Sequence, residues 1–141
     1  MSNDSIFSDQ APEPVGPYPH ARRAGNLLFL SGVGPRKKGL KEIPGVMLDE
    51  KGEIINYDME AQCHSVFQNV RAILEASGAK WEDLIDVTVF LTNMKKDFST
   101  FNRIYGEYFT SNKPCRTTVE VNALPTPIAI ELKCIAVMET K

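Results

Sequence analysis

The sequence lacks the residues and runs on which several protein classes depend. Its three cysteines, Cys63, Cys115 and Cys134, form no C-x-x-C pair, which argues against a disulfide framework and a zinc site. A catalytic metal usually needs two or three histidines with a carboxylate, and only two histidines are present. No apolar run approaches the roughly 20 residues of a membrane span, and the polar N-terminus has no signal-peptide pattern. We therefore expect a cytoplasmic protein without a bound metal or membrane contact.

Net charge and chain length limit which classes of protein and how many domains are expected. Lys and Arg total 16 against 18 Asp and Glu, a net charge of −2 at pH 7. Because nucleic-acid-binding domains are usually strongly basic, we expect no nucleic-acid partner. A chain of 141 residues is the size of one ordinary domain. We interpret residues 1–141 as a single domain whose residues 1–14 form an irregular arm, since Pro12 and Pro14 disfavour a helix there.

Hydrophobic periodicity predicts alternating strands and helices. Gly25-Asn26 separates two extended runs, which is typical of a hairpin. Residues 34–57 are rich in Gly, Pro and Lys and predict a long loop with one short strand at 45–48. Apolar residues then follow a 3.6-residue period from the cap candidate Asp58 to about Ser77, which indicates a helix. The remaining pattern predicts strands at 85–91, 115–122 and 128–138, and a second, aromatic-striped helix that starts at Asp97 or Ser99.

These elements predict an α+β fold in which both helices cover one face of a mixed sheet. Val119 with Val121, and Leu132 with Cys134, give two strands an apolar side. Two helices cannot cover both faces of such a sheet. We therefore expect other subunits to bury the second face, so that the protein is an oligomer.

Two strand residues are candidates for chemistry. Arg116 shares a strand face with Thr118 and Glu120. Its guanidinium could grip a carboxylate through two parallel hydrogen bonds, or pair with Glu120 as an ordinary salt bridge. Glu131 interrupts an apolar strand, where a carboxylate either faces solvent or lies in a site that tunes its pKa. Tyr18 either packs the arm on the body or lines a site, and the residues alone leave these alternatives open.

The order and spacing of the motifs resemble the RidA/YjgF family of reactive-intermediate deaminases. The similarity runs from about Val15 to Val137. The segments that carry it are Gly16-Pro17-Tyr18, Leu30-Ser31-Gly32, Val87-Thr88-Val89-Phe90-Leu91, Asn102-x-x-Tyr105, Pro114-x-Arg116-Thr117-Thr118-Val119-Glu120-Val121, Leu124-Pro125 and Ile130-Glu131-x-x-x-Ala136. The resemblance implies a chorismate-mutase-like α+β fold and a homotrimer with sites between subunits, with a hexamer as a further level of pairing. It also implies turnover without a cofactor.

The resemblance implies a role for each motif residue. Arg116 should bind the substrate carboxylate, and Glu131 should hold and activate the attacking water. The pocket should be lined by Tyr18, Ser31, Gly32, Asn102 and Thr118. The expected reaction is the hydrolytic deamination of an enamine or imine carboxylic acid, in which water adds to C2 and ammonia leaves to give a 2-oxo acid.

Two segments resemble the branch of this family that contains the 2-aminomuconate deaminases of aromatic-compound breakdown. They are residues 34–38, inside the long loop, and residues 122–128. This similarity favours a dicarboxylic enamine, 2-aminomuconate, as the substrate and 4-oxalocrotonate with ammonia as the products. Arg116 would grip one carboxylate, and Arg36, Lys37, Lys38 or His20 would meet the other.

Two other functions remain open on the sequence. One is a general deaminase of 2-aminoacrylate and related 2-imino acids, against which the long loop argues. The other is a non-catalytic trimeric protein that binds small acids in the same cleft. The presence of Glu131 beside Arg116 in the motif set argues against a pure binder, because binding an acid needs the arginine but not the glutamate.

Overall fold

The computed structural model describes residues 4–139, which fold into one layer of strands and one layer of helices. The strands are β1 (Ser5–Ile6), β2 (Ala21–Ala24), β3 (Leu27–Leu30), β4 (Val46–Leu48), β5 (Ile54–Tyr57), β6 (Leu84–Leu91), β7 (Cys115–Glu120) and β8 (Ile130–Val137). The helices are α1 (Met59–Ala76) and α2 (Met94–Tyr108), and a 3₁₀ turn covers Trp81–Asp83. In this range no helix is long and apolar enough to cross a membrane.

Six strands form a mixed sheet in the order β1-β2-β3-β8-β6-β7. Neighbouring strands are antiparallel except β6 and β7, which run parallel because α2 provides the crossover between them. Strands β4 and β5 form a separate two-stranded hairpin. The α+β class and the mixed sheet confirm the architecture expected from the sequence.

Both helices pack on the same face of this sheet, which we call the helix face. The alternate residues of β8, from Ile130 to Ala136, are buried there together with Val87 and Val89 of β6. The other face, which we call the open face, carries partly exposed apolar side chains such as Phe29 and Val119. Leu132 and Cys134 therefore need no further subunit to cover them, whereas Val119 does face the uncovered side.

Helix α1 matches the sequence pattern closely. The Asp58 side chain accepts hydrogen bonds from the backbone N–H groups of Glu60 and Ala61 and so caps the helix. The helix ends at Ser77, and Gly78 follows with a φ of 78°, a conformation that favours glycine. Its apolar stripe, including the fully buried Phe67, lies on the sheet.

Helix α2 begins earlier than the sequence predicts, so the expected start at Asp97 or Ser99 is wrong. The N-cap is Asn93, whose side chain accepts from the Lys96 backbone N–H. Asp97 instead lies inside the helix and is almost fully buried. Its carboxylate accepts a 2.5 Å hydrogen bond from the hydroxyl of Tyr57 on β5. A local pattern could not separate these two uses of an aspartate, because the partner is 40 residues away in the chain.

Two further strands were absent from the sequence prediction. Ser5–Ile6 in the N-terminal arm pairs with Ala21–Arg22 of β2, and Ile54–Tyr57 pairs with β4. Strands of two to four residues carry too few positions for an alternating pattern to be recognised.

Candidate active site

Arg116 lies on the edge strand β7 and projects from the helix face onto α2. Its Nη1 donates a 2.9 Å hydrogen bond to Oδ1 of Asn102. The guanidinium carbon lies 4.7 Å from the ring centre of Tyr105 and 5.3 Å from that of Phe101. The Asn102 amide and the aromatic rings thus hold the guanidinium plane in place. This pre-organises Arg116 to bind a carboxylate through two parallel hydrogen bonds.

Two buried hydroxyl groups occur in the same region. Oγ1 of Thr118 and the hydroxyl of Tyr105 have no hydrogen-bond partner within residues 4–139. Burial raises the pKa of Tyr105 to about 12, and the charge of Arg116 opposes that rise. Tyr105 therefore stays a neutral donor beside the arginine. The three-residue spacing of Asn102 and Tyr105 places both on one side of α2, next to Arg116.

Glu131 lies on the opposite side of the sheet. In the register of β6 with its neighbours, Arg116 pairs with Val87, whereas Glu131 pairs with Phe90. Side chains alternate along β6, so positions 87 and 90 face opposite ways. Within one chain, Arg116 is on the helix face and Glu131 is on the open face, separated by strand β6.

Glu131 lines a cavity of about 120 Å³. The cavity wall also includes Tyr18 and Val15 of the N-terminal arm, Gly32 and Gly34 after β3, Arg36, and Pro125, Thr126 and Ile128 before β8. The predicted site lacked five of these residues, because apolar and turn residues give no chemical signal of their own: Val15, Gly34, Pro125, Thr126 and Ile128. The cavity is thus large enough for a few water molecules or the end of a small acid.

Because Gly32 has no side chain, the Glu131 carboxylate can lie next to it. A Cβ atom at position 32 would lie 2.6 Å from Oε2 of Glu131. Burial also raises the pKa of Glu131 above its usual value of 4.5. Within the described residues its carboxylate forms no ion pair. A half-buried carboxylate with a raised pKa next to a small cavity suits a group that exchanges protons with water.

Ser31 and His20 are close to this cavity but are already engaged. The Ser31 hydroxyl donates to the Pro19 carbonyl at 2.7 Å. His20 is buried; its Nδ1 accepts from the Ser8 backbone N–H at 2.9 Å, and its Nε2 lies 2.7 Å from the Pro12 carbonyl oxygen. Both ring nitrogens thus have backbone partners in this structure, and a contact between His20 and a second carboxylate stays a prediction.

The three basic residues of the loop differ in position. Arg36 lines the cavity with Glu131 while its Nη2 donates to the Glu13 carbonyl at 2.8 Å. Lys37 donates to Oε1 of Gln68, and burial lowers its pKa. Lys38 forms a 3.4 Å ion pair with the Glu13 carboxylate. Of the four candidates for a second carboxylate, the structure brings Arg36 to the wall of the Glu131 cavity.

The chain is similar to known proteins over nearly its whole length. The family model described as Endoribonuclease L-PSP matches residues 8–138. The chain is 37% identical over 138 residues to Reactive Intermediate Deaminase A, chloroplastic, of Arabidopsis thaliana, covering 98% of this chain and 67% of that protein. The chain belongs to the RidA/YjgF family. Within the family it is also 44% identical over 135 residues to a RutC family protein of Pyrococcus horikoshii, covering 95% and 97% of the two chains.

The chain is also similar to a relative with a more specific name and to solved structures. A protein of Dermatophagoides farinae named 2-iminobutanoate/2-iminopropanoate deaminase is 36% identical over 141 residues, which covers 99% of this chain and 100% of that one. The crystal structure of the E. coli YjgF gene product superposes with a TM-score of 0.81 at 34% identity, covering 96% and 98%. The structure of E. coli TdcF with bound serine gives a TM-score of 0.82 at 32% identity, with the same two coverages.

Proposed function

We propose that this RidA/YjgF protein is a cofactor-independent hydrolytic deaminase of enamine and imine carboxylic acids. The observation that carries the proposal is the presence of two groups with complementary chemistry. Arg116 is a pre-oriented guanidinium on one sheet face, and Glu131 is a half-buried carboxylate beside a small cavity on the other. The printed names of two relatives, a reactive intermediate deaminase and a 2-iminobutanoate/2-iminopropanoate deaminase, support the reaction class.

The chemistry uses one group for binding and one for proton transfer. The enamine acid tautomerises to the 2-imino acid, whose carboxylate is bound by Arg116. The imine reacts in its protonated form. Glu131 takes a proton from water while the water oxygen bonds to C2 and the C=N π electrons move to nitrogen, which yields a neutral carbinolamine. Glu131 then passes that proton to the amine nitrogen, the C–N bond breaks and ammonia leaves, and Glu131 takes the hydroxyl proton as the C=O bond of the 2-oxo acid forms. General acid–base work of this kind contributes roughly 10²–10⁴ in rate.

Because Arg116 and Glu131 face opposite sides of one chain, we place the complete site between two chains. The open face of one subunit would bring Glu131 and its cavity to the helix-side edge at β7 of the next. A closed ring of three chains satisfies this head-to-tail contact without leaving a free surface, and it would cover Phe29 and Val119. Rings of three could pair further into a hexamer.

For the substrate, a dicarboxylic enamine such as 2-aminomuconate is the finer proposal. Arg36 supports it, since this residue lines the cavity of Glu131 and its guanidinium donates to a backbone carbonyl rather than to an acidic side chain. A second carboxylate at that wall would be bound by a cation that is already in place. The alternative substrates, 2-aminoacrylate and other monocarboxylic imino acids, have no group for Arg36.

Mixing two inactive variants tests the composite site directly. Arg116→Ala and Glu131→Gln are each expected to lose turnover of 2-aminomuconate, followed by loss of enamine absorbance and ammonia release. If the variants are unfolded together and refolded at equal concentrations, about one quarter of the sites in random trimers join an intact Arg116 to an intact Glu131. Activity should therefore return to about a quarter of wild type on mixing. Absence of any recovery, with mixed trimers verified by mass spectrometry, would show that the two groups do not share a site across subunits.

A substrate comparison separates the remaining functions. A lower KM for 2-aminomuconate than for 2-aminoacrylate would support the dicarboxylate as substrate. In Arg36→Ala, the KM for 2-aminomuconate should rise and the KM for 2-aminoacrylate should not. Equal use of both acids would support a general imino-acid deaminase. Binding of small acids without ammonia release from either would support a non-catalytic binding protein instead.

A further inference from the structure

The N-terminal arm is attached to the body through a buried imidazole. The Ser8 backbone N–H can only donate, so Nδ1 of His20 accepts at 2.9 Å and carries no proton. Nε2 then carries the proton and donates to the Pro12 carbonyl oxygen at 2.7 Å. His20 itself sits at the start of the main sheet, since its N–H donates to Ile6 O and its carbonyl accepts from the Ser31 N–H. One side chain thus fastens two points of the arm, four residues apart, to the strand that leads into the site.

The segment held in this way continues directly into the cavity wall. The Ser8 hydroxyl accepts from the backbone N–H groups of Gln10 and Ala11, which closes the turn that follows the first attachment. One residue after Pro12, the Glu13 carbonyl accepts the hydrogen bond from Arg36. Further along, Val15 and Tyr18 line the cavity of Glu131.

We propose that His20 is a positioning residue, a neutral imidazole clamp that sets the arm so that the Glu13 carbonyl holds Arg36 at the Glu131 cavity. The role rests on the proposed function, because it concerns how that site binds its substrate. His20 touches no substrate in this assignment. It acts through two backbone contacts, and the Arg36 guanidinium is the group whose position it controls.

The two ring nitrogens can be removed separately. In His20→Asn, the side-chain carbonyl reaches about where Nδ1 lies and can still accept from Ser8. In His20→Gln, the longer amide reaches about where Nε2 lies and can still donate to Pro12. His20→Ala removes both contacts. Lys51→Ala, at an exposed cation in the turn between β4 and β5, is the matched control.

A kinetic cycle distinguishes positioning from simple stabilisation. We expect His20→Ala to raise the KM for 2-aminomuconate by roughly five- to tenfold, the effect of weakening one hydrogen bond to a charged group, with a smaller change in kcat. His20→Gln, which keeps the contact next to Glu13, should recover most of the KM. The double variant His20→Ala/Arg36→Ala should equal Arg36→Ala alone, since both changes remove the same contact. Additive effects in the double variant, or an unchanged KM in His20→Ala, would overturn the proposal.

A readout that needs no turnover keeps the clamp separate from the proposed function. Amide hydrogen exchange should show Ser8 protected in wild type and in His20→Asn, and exposed in His20→Ala and His20→Gln. Nitrogen NMR of the imidazole should show a proton on Nε2 only. If no enamine acid is turned over, the proposed function fails, and these two measurements decide the clamp by themselves. Equal exchange at Ser8 in all four proteins would refute it.

Discussion

Replacing Gly32 by alanine tests whether the position of the Glu131 carboxylate matters for turnover. The added Cβ would lie 2.6 Å from Oε2 and 3.0 Å from the carboxyl carbon, whereas ordinary contact begins at 3.4 Å. Gly32 has no positive φ, so alanine meets no backbone strain. The end of a glutamate side chain is flexible, and it can move aside by about 1 Å. Displacement of a reacting group by that distance costs roughly 10²-fold in rate.

We therefore expect Gly32→Ala to lower kcat by about 10²-fold while the free energy of unfolding changes by less than ~1 kcal/mol, because a mobile carboxylate relieves the contact. Steady-state kinetics on the enamine acid and urea unfolding measure the two quantities on the same preparation. A loss of kcat without a matching loss in the free energy of unfolding would identify the clash with Glu131 as the cause.

Two other glycines are matched controls. Nothing lies within 4 Å of a Cβ at Gly106 in α2, so Gly106→Ala should stabilise the helix by about 1 kcal/mol without altering kcat. Gly25 has a φ of 64°, so Gly25→Ala should reduce stability through backbone strain alone, again with unchanged kcat. A Gly32→Ala enzyme that keeps kcat within about twofold of wild type would refute the role of Glu131 as the group that activates water.

Three further changes have defined outcomes. Burial raises the pKa of Glu131, so the folded state keeps a proton that the unfolded chain has released. Wild type should therefore lose stability relative to Glu131→Gln as pH rises from about 4.5 through the folded pKa. A difference in Tm between the two proteins that does not change with pH would contradict this. Arg116→Ala should lower kcat/KM by roughly 10²-fold, because charge-assisted hydrogen bonds to a carboxylate are lost. The control is Arg103→Ala, at an exposed arginine of α2 that pairs with Glu60 and Glu107; its kcat/KM should stay within about twofold of wild type. Equal losses in both variants would point to a general effect of charge. Tyr57→Phe should destabilise the protein by about 1–3 kcal/mol in urea unfolding, because it leaves the buried Asp97 carboxylate without its 2.5 Å partner, and unchanged stability would mean that water replaces the hydroxyl.

Local signals predicted the elements whose determinants are close together in the chain. The cap at Asp58, the apolar stripe and Gly78 all lie within α1 or next to it, and the helix was predicted to within a residue at each end. The start of α2 was predicted wrongly because Asp97 resembles a cap but is bound by Tyr57 from β5. A contact between distant segments leaves no trace in local periodicity.

The candidate site shows the same division. Arg116 and Glu131 were selected from residue type and motif, and their roles stay predictions. For His20, the prediction was a contact with a second carboxylate, and the backbone partners of its ring depend on where Ser8 and Pro12 lie. For Arg36, the sequence predicted one of several loop cations, and the path of the loop brought this residue to the cavity wall.

The sequence by itself determined the α+β class, the extent of α1 and the alternation of side chains along each strand, because these depend on spacing within one segment. It also determined which residues have the chemistry to bind an acid and to exchange a proton. Only the tertiary structure decided that Arg116 and Glu131 face opposite sides of the sheet. The alternation within a strand fixes relative sides along that strand alone, whereas the register of β7 and β8 against β6 is set by pairing between distant segments.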